Sequence, residues 1–201
     1  MRLLSKKEIE DSLDSDRADS LFIEPLLDRC QIGASTVDLR VGYDFLVSIL
    51  TRRPYISVSS DVDGYRGAST YFQYTRRVVG DNFILYPGQV AITNTLEYVG
   101  LPPNMYADVL SRSSYNRLGI HLNTMIQPGF HGCVPLELVN HGNNPVEIVV
   151  GSRLVQLRLF DVIEHRVYGS PSDRKYIGDM RPVVSRISAD RDFSILRKLR
   201  G

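Results

Sequence analysis

Beyond residue 20 the chain breaks into short runs of Val, Ile, Leu, Tyr and Phe. Gly, Pro and Asn punctuate them at intervals of about ten residues. The apolar runs fall at residues 36–41, 83–86, 90–93, 134–139, 146–150 and 154–160. Turn signals stand between them: Tyr86-Pro87-Gly88, Leu101-Pro102-Pro103-Asn104, Gln127-Pro128-Gly129 and the Gly-Asn-Asn-Pro run at residues 142–145. Many short strands at this spacing predict a mainly β protein, a sandwich or a barrel, with almost no room for βαβ crossovers. Ahead of them, Ser5-Lys6-Lys7-Glu8 forms a capping box, and Ile9 and Leu13 then share one face of a short amphipathic helix. That helical segment occupies residues 1–21 and runs out in the polar stretch 15–20. A second helix of one or two turns is predicted at residues 113–118, and the basic tail at 188–201 is expected to be helical or frayed.

Strand alternation also locates candidate chemistry. In the run 133–140, Val134, Leu136 and Leu138 share one face, while Cys133, Pro135, Glu137 and Val139 share the other. A carboxylate among apolar neighbours is a candidate proton-transfer group, because partial burial raises its pKa toward neutrality. The competing reading is a glutamate paired with an arginine or left in water. The densest polar cluster, residues 111–119, holds Arg112, Arg117 and three hydroxyls at the start of the second helix. Helix-terminal amides, hydroxyls and arginine forks together receive phosphate oxygens, although Ser/Arg runs are also common on plain loops. Residues 52–77 mix arginines with aromatic side chains, which suits either single-stranded nucleic acid or, the favoured reading, a hairpin excursion with solvated arginines.

Composition narrows the classes. The length of 201 residues suits a single domain spanning 1–201, and 43% apolar with 23% charged residues is ordinary for a soluble globular chain. Lysines and arginines outnumber acids by 24 to 23, so the basic surplus of a dedicated duplex binder is absent and nucleic acid is not an expected partner. Cys30 and Cys133 are too few for a disulfide scaffold and are expected in the core. His121, His131, His141 and His165 make no ligand pair, no zinc-deaminase signature is present, and no protein-held metal is expected. With no apolar segment near residue 1 and no run of 18 apolar residues, the expectation is a soluble, reduced, cytoplasmic protein that meets no membrane.

In combination these segments resemble the dCTP deaminase family of the dUTPase-like superfamily. The resemblance is carried in order by Ser35-Thr36-Val37-Asp38-Leu39-Arg40, Tyr86-Pro87-Gly88-Gln89, Thr95-Leu96-Glu97, Arg112-Ser113-Ser114 with Arg117-Leu118-Gly119, Pro128-Gly129-Phe130, Leu136-Glu137-Leu138 and Lys175-Tyr176. It implies a distorted β-barrel or jelly-roll-like fold of the dUTPase type, with few helices, assembled as a homotrimer with sites between subunits. It implies that Glu137 is the general base for water attack on cytosine C4, with Ser113 and Arg117 holding the water and the tetrahedral intermediate. Arg112, Ser113 and Ser114, with Tyr168 and Lys175, would bind the triphosphate and its Mg²⁺, and Phe130 would pack on the deoxyribose. Asn123 and Thr124 fall in the base pocket. No zinc is implied.

The chain also departs from the family pattern. Gln127 stands where an aspartate activates water for phosphate hydrolysis in dUTPases and bifunctional deaminase-dUTPases. An amide takes no proton at neutral pH but still hydrogen-bonds a sugar hydroxyl, so phosphate hydrolysis is not expected. The stretch between Arg117 and Gln127 is about three residues shorter than the family's. Asp179 follows Lys175-Tyr176-Ile177-Gly178 in place of a glutamine, and its charge repels phosphate unless Mg²⁺ or an arginine intervenes. Ser111 replaces a glycine. The expected function is therefore deamination of dCTP to dUTP and ammonia. The alternatives are a dUTPase or bifunctional enzyme, and a non-catalytic nucleotide sensor on the same fold.

Overall fold

The computed structural model describes residues 1–15, 20–59, 67–162 and 175–199. It opens on β1 (Arg2–Leu3) and α1 (Lys6–Leu13). Ser5 and Glu8 close the expected capping box: the Ser5 amide donates to the Glu8 carboxylate at 2.9 Å, while the Ser5 hydroxyl accepts from the Glu8 amide at 3.5 Å. These hydrogen bonds, with Arg2 beside them, lower the Glu8 pKa to about 2. The helix buries Ile9 completely.

All strand pairings are antiparallel, as short connections require. In the first sheet β13 (Arg153–Asp161) lies beside β8 (Met105–Ser111), and β8 beside β10 (Asn123–Ile126). The other edge of β13 takes β3 (Thr36–Arg40) along one part and β1 along another. In the second sheet β5 (Phe72–Arg76), β4 (Asp44–Ser48), β7 (Val90–Gly100), β11 (His131–Asn140) and β9 (Ile120–His121) follow in that order, with β2 (Phe22–Glu24) also on β7. A ribbon of β6 (Asn82–Leu85) and β12 (Val146–Val149) completes the strands. Two short helices, α2 (Ser113–Asn116) and α3 (Arg191–Lys198), lie outside the sheets.

One apolar cluster joins the sheets. Val109, Leu157 and Leu159 come from the first and Val134, Leu136 and Leu138 from the second, and all six are fully buried. Burying each leucine contributes about 1.5–3 kcal/mol relative to exposure. Phe45 of β4 stacks on Phe83 of β6, with centroids 4.2 Å apart and planes 7° from parallel, which ties the ribbon to the second sheet. The mainly β expectation holds. Closure into a barrel does not: the described strands form open sheets that face each other. The long strands β7 and β13 widen the sheets by accepting two short strands each along one edge, so no edge curls round to meet another.

β4 and β5 pair as the two arms that flank the excursion, part of which, residues 60–66, lies outside the described residues. Cys133 is buried, but Cys30 is exposed, contrary to expectation. Its amide donates to the Asp28 carboxylate at 2.8 Å in a surface 3-10 turn, so the backbone cap rather than the thiol decides its place. Among the described residues no helix is long and apolar enough to cross a membrane.

Candidate active site

The end of β8 and the turn of α2 organise the first wall. Arg112 is extended at the N-cap, and its carbonyl accepts from the amides of Tyr115 at 2.9 Å and Asn116 at 3.0 Å. Tyr115 turns inward against the core, its hydroxyl 3.0 Å from that of Ser152. With that ring anchored, Ser113, Ser114 and Arg117 are left on the exposed side. Gly119 ends the turn at φ +91°, where a Cβ would come within 2.6 Å of the Gly142 amide nitrogen. The glycine of the Arg-Leu-Gly sequence is thus required both by backbone angle and by close approach of the following loop.

Ser111, buried at the end of β8, acts as a bracket. Its hydroxyl accepts from the Leu122 amide at 3.2 Å and hydrogen-bonds the Asn116 side-chain oxygen, whose amide nitrogen donates back to the Ser111 carbonyl at 3.2 Å. A glycine could make none of the hydroxyl contacts. The shortened stretch before Gln127 is held to α2 by this side chain, which delivers Asn123 at the start of β10.

Glu137 lies on the solvent side of β11, its neighbours Leu136 and Leu138 pointing into the core as the alternation predicts. It borders two clefts. The first, of about 530 Å³, also contains Ser113, Asn116, His121, Asn123 and His141. The second, of about 590 Å³, contains Thr124, Gln127, Phe130, Lys175 and Asp190. Among the described residues no lysine, arginine or histidine lies within ion-pair distance of the Glu137 carboxylate. Although the side chain is exposed by area, the cleft walls displace much of its hydration, and this desolvation raises its pKa above the usual glutamate value.

The remaining expected residues fall in distinct places. Phe130 packs partly against the core behind the Pro128-Gly129 turn, where Gly129 takes φ +77°. The Gln127 amide approaches the Met125 sulfur, at 3.7 Å. Lys175 pairs with Asp190 at 2.7 Å across the second cleft. Asp179 lines neither cleft, and its carboxylate is 3.3 Å from Arg186, so an arginine does stand beside it. Arg112 leans toward Asp38, 3.5 Å away. Arg117 borders an adjoining cleft of about 670 Å³ with Gly142, Asn143 and Glu147, separated from Glu137 by Asn116, which lines both. Tyr168 lies outside the described residues.

Sequence reasoning missed four residues. His121 and His141 come together at the mouth of the first cleft, ring centroids 5.5 Å apart, because β9 pairs with the end of β11. Asp38 was visible only as part of a motif. Glu97 is fully buried, accepting from the Gln31 side chain at 3.0 Å and the Arg40 amide at 2.9 Å, and burial pushes its pKa up. No local signal separates such a buried, satisfied carboxylate from an exposed one. Among the described residues no group of three or more His, Cys, Asp or Glu side chains is placed to hold a metal.

Fold and site together define a class: an antiparallel β-sandwich that presents an arginine–serine turn, a lysine and a carboxylate of raised pKa to adjoining clefts. The chain belongs to the dCTP deaminase-like family, whose model matches residues 3–162. It is similar to the protein named dCTP deaminase, dUMP-forming, of Methanothermobacter thermautotrophicus (strain Delta H), with 38% identity over 200 residues covering 94% of this chain and 96% of that one. The protein of the same name from Methanobrevibacter smithii is 34% identical over 197 residues, covering 94% of this chain and 97% of its own. The crystal structure of 2'-deoxycytidine 5'-triphosphate deaminase from Agrobacterium tumefaciens superposes with a TM-score of 0.58 at 25% identity. That match covers 78% of this chain and 47% of the other, so this chain spans about half the length of the Agrobacterium one.

Proposed function

We propose that the protein deaminates dCTP hydrolytically, giving dUTP and ammonia. The observation that carries this is Glu137: a carboxylate of raised pKa, without an ion-pair partner among the described residues, at the wall shared by two clefts in a chain of this family. Glu137 takes a proton from water as the water oxygen bonds to C4 of cytosine, and delivers it to N3. In the tetrahedral adduct it accepts the second proton from that oxygen and passes it to N4. The C4–N4 bond then breaks with ammonia leaving, and C4 keeps the oxygen as a carbonyl. One water is consumed and the carboxylate is regenerated, which suits a single group whose pKa is raised above that of a free acid.

Ser113 hydrogen-bonds the water, and the Arg117 guanidinium stabilises the charge on the adduct oxygen. Arg112, Ser113 and Ser114, with Tyr168 and Lys175, bind the triphosphate, and Mg²⁺ arrives as part of the substrate. Asn123 and Thr124 border the base, Gln127 hydrogen-bonds the sugar and Phe130 packs on it. Because Arg117 and Glu137 border different clefts of one chain, the site is completed by a second copy, in the homotrimer that the resemblance implies. The reaction belongs to cytoplasmic pyrimidine deoxynucleotide metabolism.

The product separates this from a second reading, which the names of the two archaeal relatives favour: deamination followed by phosphate hydrolysis to dUMP. Gln127 in the second cleft offers no proton acceptor for that step. Incubation with Mg²⁺ and dCTP is expected to release ammonia and dUTP in equal amounts without pyrophosphate. Equal amounts of ammonia, dUMP and pyrophosphate would establish the second reading, and nucleotide-dependent thermal stabilisation without product would establish a sensor.

The Lys175–Asp190 pair makes a further expectation. Phosphate must displace Asp190 to reach the Lys175 ammonium. The pair is partly exposed, and such pairs contribute about 0.2–1 kcal/mol, so Asp190→Asn is expected to lower the KM for dCTP by up to about fivefold with kcat unchanged. Steady-state kinetics on the two proteins measures this. An unchanged or raised KM excludes the competition.

A further inference from the structure

We propose that Asp38 is the positioning residue of the triphosphate site, and that it holds two guanidinium groups there, Arg112 and the otherwise unassigned Arg153. The proposal deepens the reading above and rests on it. Asp38 is on β3 and only 8% exposed. One carboxylate oxygen accepts from the Gln156 amide at 3.1 Å. The other is 3.5 Å from Nε of Arg112 and 3.7 Å from Nη1 of Arg153. Two further bonds fix the arginines: Nη1 of Arg112 donates to the Arg153 carbonyl at 3.2 Å, and Nη1 of Arg153 to the Cys30 carbonyl at 3.3 Å.

Two guanidinium groups repel each other and do not share a small volume without a counter-charge. One carboxylate between two of them leaves a net positive charge, and neither Nη2 group is used by the contacts just described. Both side chains remain about one-third exposed, 34% and 33%, so the pair reaches the surface, where a ligand can meet it. Arg112 directly precedes the exposed hydroxyls of Ser113 and Ser114, and Gln156, the third partner of Asp38, lines the Glu137 cleft. A surplus positive charge with forked donors beside two hydroxyls fits the oxygens of a phosphoanhydride chain. Asp38 cannot touch such an anion itself because like charges repel. It acts by holding Arg112 and Arg153 in place before the ligand arrives.

The test is kinetic and thermodynamic on the full chain. Asp38→Asn and Arg153→Gln are each expected to raise the KM for Mg-dCTP by about tenfold while kcat changes less than about threefold. Arg153→Lys is expected to restore part of the loss. Calorimetric binding of inorganic tripolyphosphate should weaken in step, whereas binding of deoxycytidine, which has no phosphate, should not change. Combining Asp38→Asn with Arg112→Gln should cost clearly less than the sum of the two single losses, since the carboxylate acts in part through that arginine and in part through Arg153.

Additive losses overturn the proposal, and so does weakened deoxycytidine binding, which marks general damage to the fold. If Asp38→Asn fails to fold, Arg153→Gln carries the same readouts, and unchanged tripolyphosphate binding in it overturns the proposal. Arginine-dependent tripolyphosphate binding in a wild-type protein that does not bind dCTP would sustain the anion site and remove the deaminase reading. Wild-type protein that binds neither would remove both.

Discussion

Replacing Glu137 with glutamine is expected to lower kcat for dCTP deamination by about a thousandfold or more, with dCTP affinity within about threefold of wild type. General acid–base groups contribute about 10²–10⁴-fold, and here one group carries every proton. Glutamine keeps the size and the hydrogen-bonding oxygen but cannot take a proton from water. Binding is retained because the phosphate contacts lie elsewhere and glutamine still hydrogen-bonds the base. Ammonia release and calorimetric titration with dCTP read the two effects separately. Turnover by Glu137→Gln within tenfold of wild type would remove Glu137 as the base.

The pH profile follows from the same group. Only the ionised carboxylate acts as base, so kcat/KM falls as pH falls through its pKa in the free protein. Desolvation raises that pKa, so the acid limb is expected at higher pH than a free glutamate would give. Substrate dries the cleft further, and the limb of kcat is expected to lie higher still. An acid limb at or below the free-glutamate pKa would show that another group controls it.

A mixture of two inactive proteins is expected to regain activity. Arg117→Ala removes the guanidinium proposed to stabilise the adduct and is expected to be inactive, like Glu137→Gln. Arg117 and Glu137 border separate clefts of one chain, so in the proposed trimer each site combines Arg117 of one copy with Glu137 of another. In equal mixtures reassembled at random, half of the Glu137 positions are intact, and half of those face an intact Arg117. The regained activity is thus expected to reach about a quarter of wild type, against almost none for either protein alone. Ammonia release before and after dissociation and reassembly measures it. No regain despite exchange, with both proteins folded, would place the two side chains in one chain's site.

Much of the strand pattern could be read from one dimension. Val134, Leu136 and Leu138 alternate as expected, and β13 carries its apolar run at Leu154, Leu157 and Leu159. β8 was harder because its inward positions are Met105, Ala107, Val109 and Ser111, two of them small, while Leu110 faces outward. β7 was read four residues long and runs for eleven. Its middle buries Thr93, Asn94, Thr95 and Glu97, polar groups that read as surface until their partners are known. Thr93 donates to the Asp44 carbonyl at 2.7 Å and Asn94 to the Cys133 carbonyl at 3.1 Å, contacts 49 and 39 residues apart.

Neighbours a few residues apart settle the capping box of α1, the strand faces, the turns, and the motifs that mark the family. These depend on backbone angles and side-chain period, which are local. Only the tertiary structure decided that Asp38, Arg112 and Arg153 meet, that His121 and His141 join Glu137 at one cleft, and that Lys175 meets Asp190 across another. Such meetings are set by the register in which β3, β8, β10, β11 and β13 pair. That register is chosen by burial of the shared core, because a slip of one residue would turn every apolar side chain to the wrong face.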